Sequence, residues 1–194
     1  MAKVITFSRY FPSYHPKAGE PTFFTEKIWK SLIQQKLVSA LYTSHIAETK
    51  KKLGQLVLPQ FDLIEAKHLT IRAGNRWKVG DKFSPRVWSG KPYNSKQIVI
   101  APDLEIKKVW SFEIKNEFDK DGWYNFFYVN GKMVLYTTEQ NPLQLSYRNL
   151  ATNDGLTDED LVNWFKANDG YYSGKTYKTQ FSGQIICWNE NINY

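Results

Sequence analysis

The pattern of apolar and polar residues predicts several short strands separated by turns. Lys3–Ser8 and Lys107–Lys115 alternate between apolar and polar side chains, which is typical of strands with one buried face. Asn130-Gly131 lies between two further strand-like runs, Trp123–Val129 and Lys132–Thr138, and supplies the positive φ angles of a type I′ turn. A β-hairpin is therefore expected there. The remaining predicted strands are Leu69–Arg72, Phe83–Trp88, Gln97–Ala101 and Gln184–Trp188.

Two stretches carry the apolar period of amphipathic helices. In the first, Thr22 or Thr25 is a candidate N-cap, and the period continues towards Lys52. Its expected apolar face consists of Phe24, Ile28, Trp29 and Leu32. The second begins with Thr157 as N-cap and has Asp160 at the capping-box position. Its expected buried residues are Leu161, Trp164 and Phe165.

Six or seven short strands with two or three helices indicate an α+β fold. The architecture expected is a small mixed β-barrel with flanking helices, one of them a short helix within 142–150. Residues 12–66 are interpreted as a helical elaboration near the N-terminus. Because no internal repeat or low-complexity linker divides the sequence, residues 1–194 are interpreted as one domain with a single core.

The composition restricts the expected partners and compartment. A formal net charge of +7 and a pI near 9.3 favour polyanionic partners. Cys187 is the single cysteine, so an intramolecular disulfide and a cysteine-based zinc site are excluded. His15, His45 and His68 are too scattered for a metal signature, and no metal or cofactor is expected. Because no apolar run reaches about 18 residues, we expect a soluble, cytoplasmic protein without a membrane segment.

Positive charge is concentrated between Lys67 and Ile100. This stretch contains eight basic residues and one acid, so its net charge equals the +7 of the whole chain. Aromatic residues are interleaved with the basic ones, which suits an anionic, stackable partner such as RNA or a nucleotide. The alternative is a solvated basic rim whose aromatic side chains lie in the core. The candidate ligand-binding residues are Arg72, Arg76, Trp77, Trp88, Lys91 and Tyr93.

The hexapeptide KHLTIR at 67–72 resembles the signature of the ASCH family, small domains of the PUA-like superfamily. Lys67 and Arg72 match the lysine and arginine of that signature, and ITFSRYF near the N-terminus and WKVGD at 77–81 add to the resemblance. The resemblance implies a PUA-like β-barrel that binds RNA or a modified nucleoside. Glu65 stands where the signature has a glycine, and Thr70 stands where a glutamate is most usual.

With a threonine at this position, the motif is similar to that of the branch of the family that hydrolyses acetylcytidine. The catalytic set of that branch is a lysine, a threonine and an acid. The resemblance therefore implies a catalytic set of Lys67, Thr70 and Asp154, with Asp154 of NDGLT standing for the family's glutamate. Thr70 would be the nucleophile, Lys67 its general base, and Asp154 the group that positions the amide. An enzyme of this kind would be a hydrolase acting on a non-peptide amide bond.

Strand geometry adds a condition, because Lys67 and Thr70 in one continuous strand would point to opposite faces. We therefore expect Lys67 to lie in the turn before the strand. Leu69 and Ile71 would then enter the core, while His68, Thr70 and Arg72 face the pocket. A lysine acts as a base near neutral pH only if burial or a nearby cation lowers its pKa, and Arg72 is a candidate for that cation or for binding an oxyanion.

Three functions remain open from the sequence. The first is binding of RNA or a modified nucleoside in a pocket around Lys67, Thr70, Arg72 and Asp154, and the second is deacylation of acetylcytidine by the same residues. The third is a protein-interaction module that uses the amphipathic pattern of Glu26–Lys52. If these residues have no functional role, Thr70 is an ordinary strand residue and the side chains of Lys67 and Arg72 are solvated.

Overall fold

The computed structural model describes residues 2–37, 47–49, 51–53, 63–119, 122–134, 145–165 and 181–194. The strands in these ranges are β1 (Lys3–Phe7), β2 (Leu69–Ala73), β3 (Lys82–Trp88), β4 (Gln97–Val99), β5 (Leu104–Glu105), β6 (Lys108–Asp119), β7 (Gly122–Val129), β8 (Lys132–Met133) and β9 (Phe181–Cys187). The helices are α1 (Phe24–Gln34), α2 (Tyr147–Asn153) and α3 (Asp158–Phe165). Residues 47–49 and 51–53 are also helical.

The strands form two sheets, which confirms the predicted α+β class. In the first sheet β1 runs parallel to β3, and β4 and β5 both pair antiparallel with β3. The second sheet has the order β2-β9-β6-β7-β8 with antiparallel neighbours throughout. The described strands do not close into the expected barrel. They number nine, rather than the six or seven expected for the barrel, and comprise the eight strand-like runs of the sequence together with β5. β5 was not predicted because two residues are too few to show an alternation.

The Asn-Gly hairpin is confirmed. Asn130 and Gly131 have φ angles of 49° and 76°, and the strands on either side pair Val129 with Lys132. The paired part of the second strand is short, since β8 ends at Met133. Residues 135–138 of the predicted strand lie outside the described residues.

Helix α1 buries the predicted face but differs from prediction at both ends. Its buried apolar residues include Phe24, Ile28, Trp29 and Leu32. The N-cap residue is Phe23, in the left-handed region with φ 55°, rather than Thr22 or Thr25, although Thr22 Oγ1 accepts a hydrogen bond from the Phe24 N–H at 3.3 Å. The helix ends at Gln34, and Lys36 has φ 55°, so the expected continuation is wrong up to residue 37. Much of the remainder, at 38–46 and 50, lies outside the described residues.

The predicted N-cap of α3 is confirmed, and the structure shows a similar cap, not predicted, at the start of α2. Thr157 caps α3 by accepting a hydrogen bond from the Asp160 N–H at 3.1 Å. Ser146 caps α2 in the same way, with the Asn149 N–H at 3.2 Å. The short helix predicted within 142–150 therefore begins at Tyr147, and 142–144 lie outside the described part of the chain.

Aromatic side chains pack the two sheets against each other. Phe7 of β1 and Phe83 of β3 lie against Trp188, with ring centroids 6.3 and 5.7 Å away. The two sheets are also joined by a polar contact, because Arg72 Nη2 on β2 donates to the Thr6 carbonyl on β1 at 2.8 Å. The first and second strands of the sequence therefore approach each other although they belong to different sheets.

No helix in the described part of the chain is long and apolar enough to cross a membrane. The longest of the three named helices, α1, has 11 residues, whereas a bilayer span requires about 20.

Gly183 of β9 provides a test of the pairing between β9 and β2. A Cβ at this position would lie 2.2 Å from the Arg72 carbonyl oxygen, so the two strands would have to separate. We predict that Gly183→Ala lowers the free energy of unfolding by about 2–3 kcal/mol, in the upper range of overpacking effects. Urea denaturation followed by tryptophan fluorescence measures this change.

Gly90→Ala is the matched control for Gly183→Ala. The nearest atom to a Cβ on Gly90 is Ser95 Cβ at 3.5 Å, an ordinary contact. Its expected effect is within about 0.5 kcal/mol, as for other surface substitutions. Equal effects of the two substitutions would contradict the close approach of β9 and β2.

Candidate functional site

Lys67 lies just before β2, the position that the strand geometry required. The strand begins at Leu69, so Lys67 belongs to the connecting segment. Its backbone N–H donates to the Lys27 carbonyl of α1 at 3.0 Å, and the His68 N–H donates to the Asn153 carbonyl of α2 at 2.8 Å. These two hydrogen bonds hold the segment between the helices and allow the Lys67 side chain to reach the same cavity as Thr70.

Asp154 is positioned by the C-terminal turn of α2. It is the C-cap residue, and Gly155 follows with φ 71°, a left-handed conformation that glycine adopts without strain. The Leu156 N–H donates to the Ala151 carbonyl, and the Gly155 N–H donates to the Thr152 carbonyl, each at 2.9 Å. This pair of hydrogen bonds is a Schellman motif. The Asp-Gly dipeptide therefore ends the helix and fixes where the carboxylate lies.

Lys67 and Asp154 form a buried ion pair. Lys67 Nζ donates hydrogen bonds to Oδ1 of Asp154 and to the Asp154 backbone carbonyl, the latter at 2.6 Å. Lys67 is 1% exposed and Asp154 is 7% exposed. The ring centroids of Phe24 and Phe7 lie 4.1 and 5.9 Å from Lys67 Nζ, within the range of cation–π attraction. One carboxylate and two aromatic rings thus replace water around the ammonium group.

Burial is the largest influence on the pKa of both partners. It lowers the pKa of Lys67 to about 8 against the attraction of Asp154, and the nearby cations Arg72 and Lys27 lower that pKa further. Burial raises the pKa of Asp154, while the positive charges of Lys67, Arg72 and Lys27 act to lower it. An ordinary lysine has a pKa near 10.4. The Lys67 amine is therefore suited to gain and lose a proton close to neutral pH.

The ion pair lies in the wall of a cavity of about 200 Å³. Six of the nine residues that the sequence suggested for the site line it, namely Lys67, Thr70, Arg72, Trp88, Tyr93 and Asp154. Aromatic residues form much of the wall, namely Phe7, Phe24, Trp88, Tyr93, Trp164 and Phe165. The cavity therefore combines a hydroxyl, two cations and a carboxylate with flat apolar surfaces.

Trp88 and Tyr93 lie on the exposed side of the cavity. Their ring centroids are 5.4 Å apart, and Tyr93 is 88% exposed. Tyr93 has φ 64°, an uncommon left-handed conformation for a residue with a side chain. Pro92 next to it also lines the cavity. This loop therefore forms the aromatic mouth of the site.

Three of the suggested ligand-binding residues do not line the cavity. Trp77 is buried in the core, where it packs edge-on against Phe83 with ring centroids 6.3 Å apart. Arg76 is exposed and lies over Trp77, with 5.3 Å from its guanidinium carbon to the ring centroid. Lys91 is exposed on the mouth loop beside the lining residues. The interleaving of basic and aromatic residues did not distinguish these positions from the cavity wall.

The expected orientation of His68 is wrong, and that of Ile71 is met only in part, because Ile71 packs against the core and also lines the cavity. His68 Nδ1 lies 2.7 Å from Ser31 Oγ and 3.1 Å from Asn189 Nδ2, away from the cavity lining. Burial lowers the pKa of His68 to about 4. Ile71 is half-buried and lines the cavity rather than entering the core fully. Since His68 precedes the strand, the alternation of side chains does not apply to it.

Several residues of the site were not identified from the sequence as functional. Phe24, Trp164 and Phe165 were interpreted as the buried faces of helices, and the apolar period does not distinguish core from cavity wall. Lys27 was not singled out, although its Nζ donates to the Gly155 carbonyl at 2.6 Å and burial lowers its pKa. The Asp-Gly pair was the available signal for the Schellman turn that positions the acid.

Glu65 does not strain the turn before Lys67, although the ASCH signature has a glycine at this position. It is exposed, and it is not among the described non-glycine residues with positive φ. The backbone at this place therefore adopts a conformation that any L-residue accepts. The departure from the signature is compatible with the observed position of Lys67.

The described residues contain no group of three or more His, Cys, Asp or Glu side chains that could hold a metal ion. Cys187 is buried, and its Sγ donates to the Asn189 carbonyl at 3.2 Å. Burial raises the pKa of this thiol to about 11, which keeps it protonated and unreactive at neutral pH.

No family model, curated protein or solved structure matches this chain.

The Lys67–Asp154 pair is tested by a double-mutant cycle. Lys67→Met or Asp154→Leu alone would leave an unpaired buried charge, and we expect each to cost about 3–5 kcal/mol of unfolding free energy. The double variant Lys67→Met/Asp154→Leu removes both charges and is expected to be more stable than either single variant. Thermal and urea denaturation of the four proteins measure the coupling.

Lys52→Met serves as the matched control, because Lys52 forms an exposed i,i+4 ion pair with Glu48. Its expected cost is at most about 0.5 kcal/mol. Additive effects of the two single substitutions at Lys67 and Asp154 would contradict the direct pairing.

Proposed function

We propose that the chain binds a nucleoside or nucleotide, free or within RNA, in the cavity around Lys67, Thr70, Arg72 and Asp154. The observation that carries the proposal is the convergence of these four polar residues with six aromatic side chains in one cavity. Aromatic rings stack on the face of a base, and fixed polar groups hydrogen-bond to its edge. A pocket of this composition is therefore suited to a flat, polar heterocycle.

The size of the cavity supports a ligand with a single base. Its volume of about 200 Å³ is below the range of roughly 300–1,000 Å³ that is typical for drug-sized ligands. One base with a small substituent matches this space better than a dinucleotide does. The sugar would then extend past the exposed mouth at Trp88 and Tyr93.

We also propose that the chain is a divergent ASCH-type domain with a PUA-like arrangement of its strands. The supporting features are the motif spacing of Lys67, Thr70 and Arg72 and the presence of all three in the cavity wall. Further support comes from Asp154, which reaches Lys67 from 87 residues along the chain. The resemblance to the ASCH family implies this same pairing of Lys67 with an acid from a distant segment of the chain.

An exposed basic rim favours an RNA-borne ligand over a free nucleoside. Exposed basic residues outside the cavity lining include Lys91 and Lys96 on the mouth loop, and Arg76, whose charge acts on Arg72. Cations with this exposure attract phosphates through counterion release and carry little information about sequence. In this proposal the rim concentrates the ligand, and the cavity selects the base.

The second candidate function is hydrolysis of an acyl amide such as that of acetylcytidine. The observation that favours it is the lowered Lys67 pKa of about 8 in a cavity that Thr70 also lines. The neutral Lys67 amine would take the proton of the Thr70 hydroxyl as that oxygen attacks the acyl carbon. The same proton would then pass to the leaving exocyclic amine, which leaves the acyl group as an ester on Thr70. A water molecule that gives its proton to the Lys67 amine would hydrolyse this ester, release the carboxylate and restore the Thr70 hydroxyl. Asp154 would hold Lys67 in place through its two hydrogen bonds.

The binding proposal predicts that Trp88→Ala weakens the affinity for cytidine. Loss of one stacked aromatic ring costs about 1–3 kcal/mol, so Kd should rise roughly tenfold or more. Isothermal titration calorimetry at pH 7 measures this change. Tyr10→Ala removes an aromatic side chain that is 49% exposed and outside the cavity lining, and it should leave Kd unchanged. Equal affinities of the wild-type protein and Trp88→Ala for cytidine would contradict stacking of Trp88 on the ligand.

The hydrolase alternative predicts turnover of acetylcytidine to cytidine that depends on pH and on Thr70. The rate should rise with pH and level off above about pH 8, because the Lys67 amine must be unprotonated. Thr70→Val should abolish turnover, and Thr70→Ser should retain part of it because serine keeps the hydroxyl. Chromatographic detection of cytidine gives the rates. Absence of turnover by the wild-type protein over pH 6–10 would reject the hydrolase and leave the binding proposal in place.

A further inference from the structure

Arg72 is a cation in the cavity wall whose hydrogen-bonding capacity is only partly used by the described residues. Among the described residues its guanidinium makes one hydrogen bond, from Nη2 to the Thr6 carbonyl at 2.8 Å. Its Nε atom is buried and has no hydrogen-bond partner. It forms no ion pair with a described carboxylate, whereas Asp154 is paired with Lys67. A buried donor without a partner is unfavourable, so this group indicates a missing acceptor.

The charges of the cavity wall leave an excess of positive charge. Its charged side chains among the described residues are Lys67 and Arg72 against Asp154. Lys27 lies close enough for its positive charge to lower the pKa of Lys67 as well. Burial also lowers the pKa of Arg72, to about 10, against the attraction of Asp154, which is already paired with Lys67. One additional negative charge would balance the buried groups.

The shape of the Arg72 surroundings favours an oxyanion over a halide or a neutral carbonyl. The guanidinium carbon lies 5.2 Å from the centroid of Phe7, so one face of the group is covered by an aromatic ring. The N–H donors therefore have to be satisfied in the plane of the guanidinium. Planar, directional donation of this kind matches the oxygens of a carboxylate or a phosphate.

We propose that the ligand of this cavity carries an oxyanion group, a carboxylate or a phosphate, which the guanidinium group of Arg72 binds in the cavity wall. This inference rests on the proposed function and narrows it to an acidic nucleobase or nucleotide. Arg72 sets this specificity, and the Lys67–Asp154 pair contacts the remainder of the ligand. A neutral nucleoside fills the aromatic part of the cavity but leaves the Arg72 donor unsatisfied.

The test compares matched neutral and anionic probes by isothermal titration calorimetry. Cytidine and cytidine 5′-monophosphate form the phosphate pair, and uracil and orotate form the carboxylate pair. The wild-type protein should bind at least one anionic probe about tenfold or more tightly than its neutral counterpart, as expected for a charge-assisted hydrogen bond. The preferred pair identifies the oxyanion. Inorganic phosphate alone should bind weakly because it gains no stacking.

Three variants assign the preference to Arg72. Arg72→Gln should reduce the discrimination to less than about twofold, and Arg72→Lys should retain part of it because charge remains without the planar donors. Arg148→Gln, which removes a partly exposed arginine that is paired with Asp158 outside the cavity lining, should keep the wild-type discrimination. If Arg72→Gln fails to fold, the comparison of Arg72→Lys with Arg148→Gln still decides, because only the former should lower the preference.

The outcomes separate this inference from the proposed function. Equal binding of neutral and anionic probes, or a preference that survives in Arg72→Lys and Arg72→Gln, would overturn the oxyanion site while nucleoside binding stands. Binding of none of the probes would overturn both the inference and the proposed function.

Discussion

The buried ion pair between Lys67 and Asp154 is the interaction on which the candidate site depends. Two charges removed from water are tolerated only where they pair closely and find further hydrogen bonds. Lys67 meets this condition by donating to both the carboxylate and the backbone carbonyl of Asp154. The pair ties the segment before β2 to the C-terminal turn of α2, and Gly155 allows that turn its left-handed geometry. Loss of either charge would therefore affect both the fold and the cavity.

The same burial that makes the pair costly gives the cavity its chemical character. Aromatic rings exclude water from Lys67, and the pKa of its amine falls to about 8 as a consequence. Within the described part of the chain, Arg72 is held in the same wall by one hydrogen bond, to the Thr6 carbonyl, which joins the two sheets. A cavity with a proton-exchanging amine, an unsatisfied guanidinium donor and aromatic surfaces has the chemistry on which we base the proposal of a flat, polar and acidic ligand. Its chemistry thus follows from where the two sheets and two helix ends meet.

Much of the local structure was predictable from sequence because it depends on neighbouring residues. The Asn130-Gly131 turn and the Thr157 cap are examples, since their geometry is set within a few positions. The meeting of Lys67 with Asp154 was suggested by a motif resemblance and had no local signal. The roles of Trp77 and His68 were not predictable, because whether a ring lies in the core or in a cavity depends on how the sheets pack. The packing of the two sheets against each other could not be predicted either, because the pattern of residues within a strand does not determine which strands of different sheets come into contact.

The most direct measurement for the central claim is an NMR titration of the Lys67 side chain with and without cytidine 5′-monophosphate. Lysine Cε and Nζ shifts, assigned with Lys67→Arg, report the protonation of this one amine. The account predicts a pKa of about 8 for Lys67 in the free protein and a shift of its resonances when the nucleotide binds. A Lys67 pKa near the ordinary lysine value of about 10.4, with resonances unchanged by the nucleotide, would contradict a buried ion pair at the centre of a binding site.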